Sequence, residues 1–143
     1  MTITPALQQT VDDFHAMAES DRLQLLLEFA DELPALPQRY ADHPDLLERV
    51  AECQSPVFLF VEVADGRVHV HATAPAEAPT TRGFASILAQ GLEGTSVEDA
   101  LAVPMDFPRE LGLDSVVSPL RLRGMVGMLG RIQRQIRERA LEL

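Results

Sequence analysis

Lysine is missing altogether: all twelve basic residues are arginine. A pyridoxal phosphate enzyme holds its cofactor as a Schiff base on lysine, so this chain cannot itself be one. Cysteine occurs only once, as Cys53, which excludes an internal disulfide and makes the cytoplasm the expected compartment. No apolar run approaches the roughly 20 residues that cross a bilayer. The opening Met1-Thr2-Ile3-Thr4-Pro5 has neither a basic start nor a long apolar stretch, so no secretory signal is expected. Positive charge is also short, with a formal net charge of −10 at pH 7. That balance argues against nucleic acid and anionic membrane as main ligands. Glycine-rich phosphate-binding patterns of the G-x-G-x-x-G or P-loop type do not occur, which removes a nucleotide site of those kinds.

What remains is a chain of 143 residues, 46% hydrophobic and 24% charged, the profile of one globular domain with a real core. No internal repeat or low-complexity segment divides it, and a single domain over 1–143 is expected. The charge is uneven. Met1 to Asp65 carries thirteen acidic residues against three arginines, and Ser118 to Leu143 carries six arginines against two glutamates. Each end reads as a solvated face unless a partner claims it.

In chain order, Thr4-Pro5 caps a first helix with Leu7, Val11, Phe14 and Ala18 on one face. Ser20 caps a second with Leu23, Leu26, Leu27, Ala30 and Leu33, ended by Pro34 and Pro37. Ala35 to Asp45 reads as loop, followed by a short helical or extended piece at Leu46–Val50. After Cys53 the period changes. Val57 to Val63 is β-branched and aromatic, suited to a central strand covered on both faces. Asp65-Gly66 is a type I′ hairpin signal, and Val68, Val70 and Ala72 alternate with polar residues in the strand beyond it. A third, short strand is expected near Arg49–Ala51. Thr81-Arg82-Gly83 then opens a helix that Gly91 and Gly94 end. Thr95-Ser96-Val97-Glu98 is a capping box for the next. Asp106-Phe107-Pro108 begins one more turn, closed by Gly112. Ser118-Pro119 starts the longest helix, with Leu122, Met125, Leu129, Ile132 and Ile136 inward and Arg131, Arg134, Arg137 and Arg139 outward. Gly124, Gly127 and Gly130 recur every third residue there, a mark of close packing. The sum is an α+β fold: a two-layer single domain with helices packed on a small antiparallel three-stranded sheet.

Cys53 lies in a connection between polar Glu52, Gln54 and Ser55, just ahead of an apolar strand. A free cysteine is either a small core hydrophobe or a nucleophile. His69 and His71 share one strand face and, with Cys53, make a possible zinc ligand set. A Cys–His hydrolase needs a base near the thiol, for which His15 and His43 are the remaining histidines. The residues alone leave these readings open.

Several stretches together resemble the SufE family of sulfur-acceptor proteins of iron–sulfur cluster assembly. They are Cys53-Gln54-Ser55 running into an apolar strand, Thr81-Arg82-Gly83, Leu111-Gly112-Leu113, and Ser118-Pro119-Leu120-Arg121-Leu122-Arg123-Gly124-Met125. The resemblance covers roughly Leu23 to Arg137. This chain departs from it in having Glu52 where the family frequently has glycine, Phe58 where it frequently has tryptophan, and Glu77 where an aspartate often stands. The resemblance implies a SufE/IscU-like fold in a persulfide carrier that activates a desulfurase and is not an independent enzyme. It further implies that Cys53 takes sulfur from a SufS-like cysteine desulfurase, stimulates that enzyme, and passes the sulfur to a SufBCD-like scaffold. Arg121, the arginine of the Ser-Pro-x-Arg motif, would hold the cysteine loop or steady charge near it, and Gln54 would brace the loop. No cofactor belongs to this chain on that reading, because the pyridoxal phosphate is the partner's. A monomer or weak homodimer is expected.

Overall fold

A computed structural model describes residues 3–141, so Met1, Thr2, Glu142 and Leu143 of the expected domain lie outside the described residues. The helices are α1 (Pro5–His15), α2 (Glu19–Asp31), α3 (Gln38–Ala41), α4 (Pro79–Leu92), α5 (Val97–Ala102) and α6 (Pro119–Ala140). The strands are β1 (Glu48–Arg49), β2 (Phe58–Ala64) and β3 (Arg67–Thr73), and 3-10 turns occupy Pro44–Leu46 and Phe107–Leu111. Helices packed on a three-stranded antiparallel sheet, the expected α+β organisation, are what the chain adopts.

Local chemistry sets most boundaries. The Thr4 hydroxyl accepts from Leu7 N at 3.1 Å, and the Ser118 hydroxyl accepts from Arg121 N at 3.3 Å. Proline follows both caps, where its missing N–H costs nothing. Ser96, not Thr95, caps α5 by accepting from Asp99 N at 3.1 Å. Thr95 instead donates back to Leu92 O at 2.9 Å and helps close α4. Two starts differ from expectation. The cap of α2 is Ala18, whose extended backbone separates α1 from α2 and removes Ala18 from the first apolar face. Pro79 begins α4, so Thr81-Arg82-Gly83 lies inside that helix rather than opening it. The stretch expected as loop holds α3, which places Tyr40 on the sheet.

The sheet order is β1-β2-β3. Asp65 and Gly66 take φ of 53° and 74°, the two positive values a type I′ turn requires, and β2 and β3 pair from Phe58↔Thr73 to Ala64↔Arg67. Leu59, Val61, Val68, Val70 and Ala72 are buried. The alternate residues Phe58, Phe60 and Glu62 are only half-buried, so β2 is central without being covered evenly on both faces. Phe60 is covered by Tyr40, ring centroids 4.7 Å apart, and by the Arg139 guanidinium 4.2 Å above its ring.

β1 begins one residue before the expected strand and pairs only with Phe58 and Leu59. Beyond that, α6 takes over the edge of β2. Val61 N donates to Gln135 Oε1 at 2.8 Å, and Arg139 Nε donates to Val61 O at 2.5 Å. Side chains of α6 thus satisfy backbone groups that a longer β1 would have paired. Leu7, Phe14, Phe84, Leu88, Phe107, Met125, Leu129 and Ile136 belong to the same apolar cluster as the inward strand residues.

Candidate functional site

Between β1 and β2 the chain leaves the sheet over residues 50–57. The neck of this loop is closed by backbone: Val50 N donates to Val57 O at 2.9 Å, Val57 N to Ser55 O at 2.9 Å, and Cys53 N to Val50 O at 3.1 Å. Cys53 stands at the tip, 7% exposed, while Glu52 and Gln54 on either side are exposed.

The seat for this tip is one face of α6. Gly124 and Gly127 are three residues apart and therefore neighbours on the helix surface. A Cβ on Gly124 would lie 3.1 Å from Cys53 Sγ, and one on Gly127 would lie 2.7 Å from Glu52 Cβ. The two glycines leave room for the loop to lie down. The Cys53 thiol donates to Gly124 O at 3.7 Å, a weak bond of the kind sulfur makes. Gly130 completes the series against Met105. Close packing explains the three glycines, and two of them pack against the thiol loop itself.

Burial pushes the Cys53 thiol up to about 11; the neighbouring Glu52 charge acts the same way, and the Arg131 charge acts against both. From its ordinary 9.0 that rise leaves about 100-fold less thiolate at neutral pH. At rest the site therefore holds a thiol and not the nucleophilic thiolate.

A charged cluster ties the loop to α6. Arg131 Nε and Nη2 donate to the two carboxylate oxygens of Glu52 at 2.7 and 3.0 Å, and Nη1 donates to Glu48 at 2.6 Å. Arg134 donates to Glu48 and, at 2.9 Å, to Glu138, while Gln135 Nε2 donates to Glu48 at 2.8 Å. The Arg131 fork holds the Glu52 carboxyl below the usual range. Burial opposes ionisation of Glu48, but its bonds from Arg134, Arg131 and Gln135 outweigh that and lower its carboxyl too. Arg131 and Arg134, expected as outward decoration, tie α6 to β1 and the cysteine loop, as Arg139 ties it to β2.

Beside Cys53 lies a cavity of about 50 Å³, walled by Gln54 and Ser55 on the loop, Thr81 on α4, and Leu120, Arg121 and Gly124 on α6. Arg121 and the cysteine loop, far apart in sequence, line the same cavity. Arg121 is exposed and its guanidinium makes no hydrogen bond among the described residues. The arginine whose charge lowers the resting thiol is Arg131. Gln54 likewise makes no side-chain hydrogen bond among the described residues, so the bracing expected of it falls to the backbone neck and to Glu52–Arg131. Thr81, read in the sequence only as part of the Thr81-Arg82-Gly83 motif, was not expected on the cavity wall. Its neighbour Arg82 donates to Ala30 O at 2.9 Å and to Ala74 O at 2.7 Å, which locks the α4 wall in place.

His69 and His71 lie on one face as expected, but each meets its own carboxylate. His69 Nδ1 is 2.6 Å from Glu93, and His71 Nε2 is 2.6 Å from Glu62. Glu62 also accepts from Arg39 at 2.6 Å; burial opposes its ionisation, yet Arg39, His71 and Tyr40 hold its carboxyl down to about 2. The zinc set is not assembled: Cys53 is seated on α6, and no group of three His, Cys, Asp or Glu is placed for a metal among the described residues. His15 lies 2.6 Å from Glu110 O, and neither it nor His43 walls the Cys53 cavity, so no histidine base serves the thiol there. No helix among the described residues is long and apolar enough to cross a membrane.

Several known proteins are similar to this chain. An uncharacterized SufE-like protein of Mycobacterium tuberculosis is 58% identical over 133 residues, 92% of each chain. The cysteine desulfuration protein SufE of Plasmodium falciparum is 25% identical over 136 residues, 92% of this chain and 53% of that one. The solution structure of a hypothetical protein from Thermus thermophilus superposes with a TM-score of 0.85 at 40% identity, covering 97% of this chain and 98% of its own. The family model for SufE, the Fe-S metabolism associated domain, matches residues 8–136. That span holds the cysteine loop and every wall of its cavity, and by it the chain belongs to the SufE family.

Proposed function

We propose that the protein is a sulfur acceptor in iron–sulfur cluster assembly, working as one SufE domain in the cytoplasm. Cys53 receives sulfane sulfur from the persulfide of a pyridoxal phosphate cysteine desulfurase of the SufS kind. By drawing that sulfur off it stimulates the donor, and it then delivers the sulfur to a SufBCD-like scaffold. The observation that carries this reading is the placement of the chain's sole thiol: buried at a loop tip, beside a cavity of about 50 Å³. A site for one water needs about 10–15 Å³, so the added sulfur atom of a persulfide has room next to Cys53.

The exchange conserves electrons. Cys53 gives up its proton, and its thiolate attacks the terminal sulfur of the donor's –S–SH. A new S–S bond forms on Cys53 while the donor's S–S bond breaks, and the donor cysteine leaves as a thiolate that takes a proton. Nothing is oxidised overall. The raised thiol protects Cys53 from oxidation while the loop is seated, and the reaction follows the loop's departure on docking, a shift between two loop populations. Arg121, with its free guanidinium on the cavity wall, then stabilises the anion by a charge-assisted bond, and Gln54 offers its amide on the same rim.

The test is intact mass after incubation with desulfurase and cysteine. Wild type gains about 32 Da, one sulfur atom, as a bond that reductant removes. Cys53→Ser gains nothing and melts as wild type does. Sulfur uptake by the serine variant, or none by wild type, overturns the reading.

A further inference from the structure

We infer that Arg131 is a positioning residue for Cys53, and that its two-point ion pair with Glu52 is the latch that keeps the thiol loop shut on α6. The inference rests on the reading of Cys53 as the sulfur carrier. It adds the element that sets how often the thiol is presented.

Cys53 cannot leave its seat without carrying its neighbour Glu52 along, and Glu52 is the residue most firmly tied. Its carboxylate takes both arms of the Arg131 fork at 2.7 and 3.0 Å, the parallel geometry that makes arginine–carboxylate pairs strong and directional. Arg131 is itself aimed from behind by Glu48 at 2.6 Å, so little ordering is left when Glu52 arrives. The Glu52 stem lies over Gly127, where any side chain would collide with it. Among the described residues the loop tip has only one other side-chain bond, the weak one from Cys53 to Gly124 O. Arg131 is about one-quarter exposed and Glu52 less than half exposed, so the pair is open to competition from salt or from a carboxylate of an arriving partner.

The two charges act on the thiol in opposite directions, which makes the latch separable from plain electrostatics. Glu52 disfavours the Cys53 thiolate, and Arg131 favours it. If charge alone mattered, Glu52→Gln would speed alkylation of Cys53 and Arg131→Gln would slow it. If the pair is a latch, both speed it.

The experiment measures iodoacetamide alkylation of the full chain at fixed pH, with thermal melting as a fold check. Glu52→Gln and Arg131→Gln are each expected to react about threefold to tenfold faster than wild type, the range for one well-formed, partly exposed pair. Salt at about 1 M, where the screening length is about 3 Å, speeds wild type and leaves both variants nearly unchanged. Arg137→Gln, an exposed change on the same helix, reacts as wild type does. Slower or unchanged alkylation of Arg131→Gln, an unchanged Glu52→Gln, or a salt-insensitive wild type overturns the latch. Should Arg131→Gln melt below the assay temperature, the exposed loop variant Glu52→Gln and the wild-type salt response still decide. No desulfurase enters these measurements, so a failed latch leaves the mass-shift test of sulfur carriage untouched, and the reverse also holds.

Discussion

Gly124→Ala separates the stability of the fold from the closure of the loop. The added methyl would lie 3.1 Å from Cys53 Sγ, with Glu52 O at 3.8 Å and Cys53 Cα at 3.9 Å. Only the first contact is tight. The helix cannot yield, because Gly124 is followed by fully buried Met125, whereas the loop tip is held by one ion pair and one weak thiol bond. Overpacking costs about 1–3 kcal/mol, and a loop free to move puts this case near the low end. With about 1.4 kcal/mol per tenfold, the open loop gains about fivefold to thirtyfold in population. Alanine in place of glycine also steadies a helix interior by about 1 kcal/mol whichever way the loop lies.

The expected result is a melting point equal to or above wild type together with faster alkylation of Cys53. The pH profile of that alkylation should move as well. Wild type titrates toward about 11, and the variant moves back toward the ordinary 9.0 of an unburied thiol. The sign of the stability effect follows. A thiol raised by folding favours the fold below its unfolded value, and that contribution is lost as pH rises through about 11. The alanine variant has less to lose, so its melting point falls less between about pH 9 and 11 than wild type does. Unchanged alkylation with a lowered melting point would refute the reasoning, since it would mean a rigid loop and a strained helix.

Arg121→Ala is expected to cut sulfur uptake from desulfurase about tenfold, the worth of one charge-assisted bond, while Arg134→Ala loses only partly exposed pairs and keeps most activity. Equal losses in the two variants would remove Arg121 from the proposed site. Arg82→Ala removes the guanidinium bonds to the carbonyls of Ala30 and Ala74, a loss of about 2–3 kcal/mol, and should lower the melting point by about 6–12 °C while sulfur uptake at low temperature persists.

The parts of the fold legible in the sequence were those whose causes are local. Thr4-Pro5, Ser118-Pro119 and Asp65-Gly66 each contain their own geometric instruction, and each produced the element expected of it. Ser20 failed because a serine inside a helix looks like a serine before one, and the extended Ala18 that caps α2 carries no side-chain signal. β1 was found within a residue because Val50 and the strand beyond Cys53 frame it.

At the site, the expectation that Arg121 lies near Cys53, with which it shares a cavity wall, came from motif resemblance rather than from any periodicity. The Glu48–Glu52–Arg131–Arg134 cluster was invisible for a physical reason. Its partners lie some eighty residues apart, and arginines on the outer stripe of a helix look alike until the topology shows which of them faces a loop. The glycine triplet was the one available clue. A three-residue glycine repeat on an otherwise amphipathic helix says that something lies across it, without saying what.

If Cys53 carries sulfur as proposed, its seclusion bears on how the transfer is driven. The thiol is 7% exposed, its titration is pushed to about 11, and its neighbour is ion-paired to α6, so the ground state is unreactive on three separate grounds. A free low-molecular-weight persulfide would meet that state and react slowly. A donor protein can do what a small molecule cannot, because contacts on the loop and on α6 can bias the open form before any sulfur moves. The carboxylate at 52 strengthens the closed form where a glycine there would have no side chain to offer Arg131. On the proposed reading, the cysteine is thereby coupled to the arrival of a partner. That coupling also suits a chain without lysine, which has no means of making its own persulfide by pyridoxal phosphate chemistry.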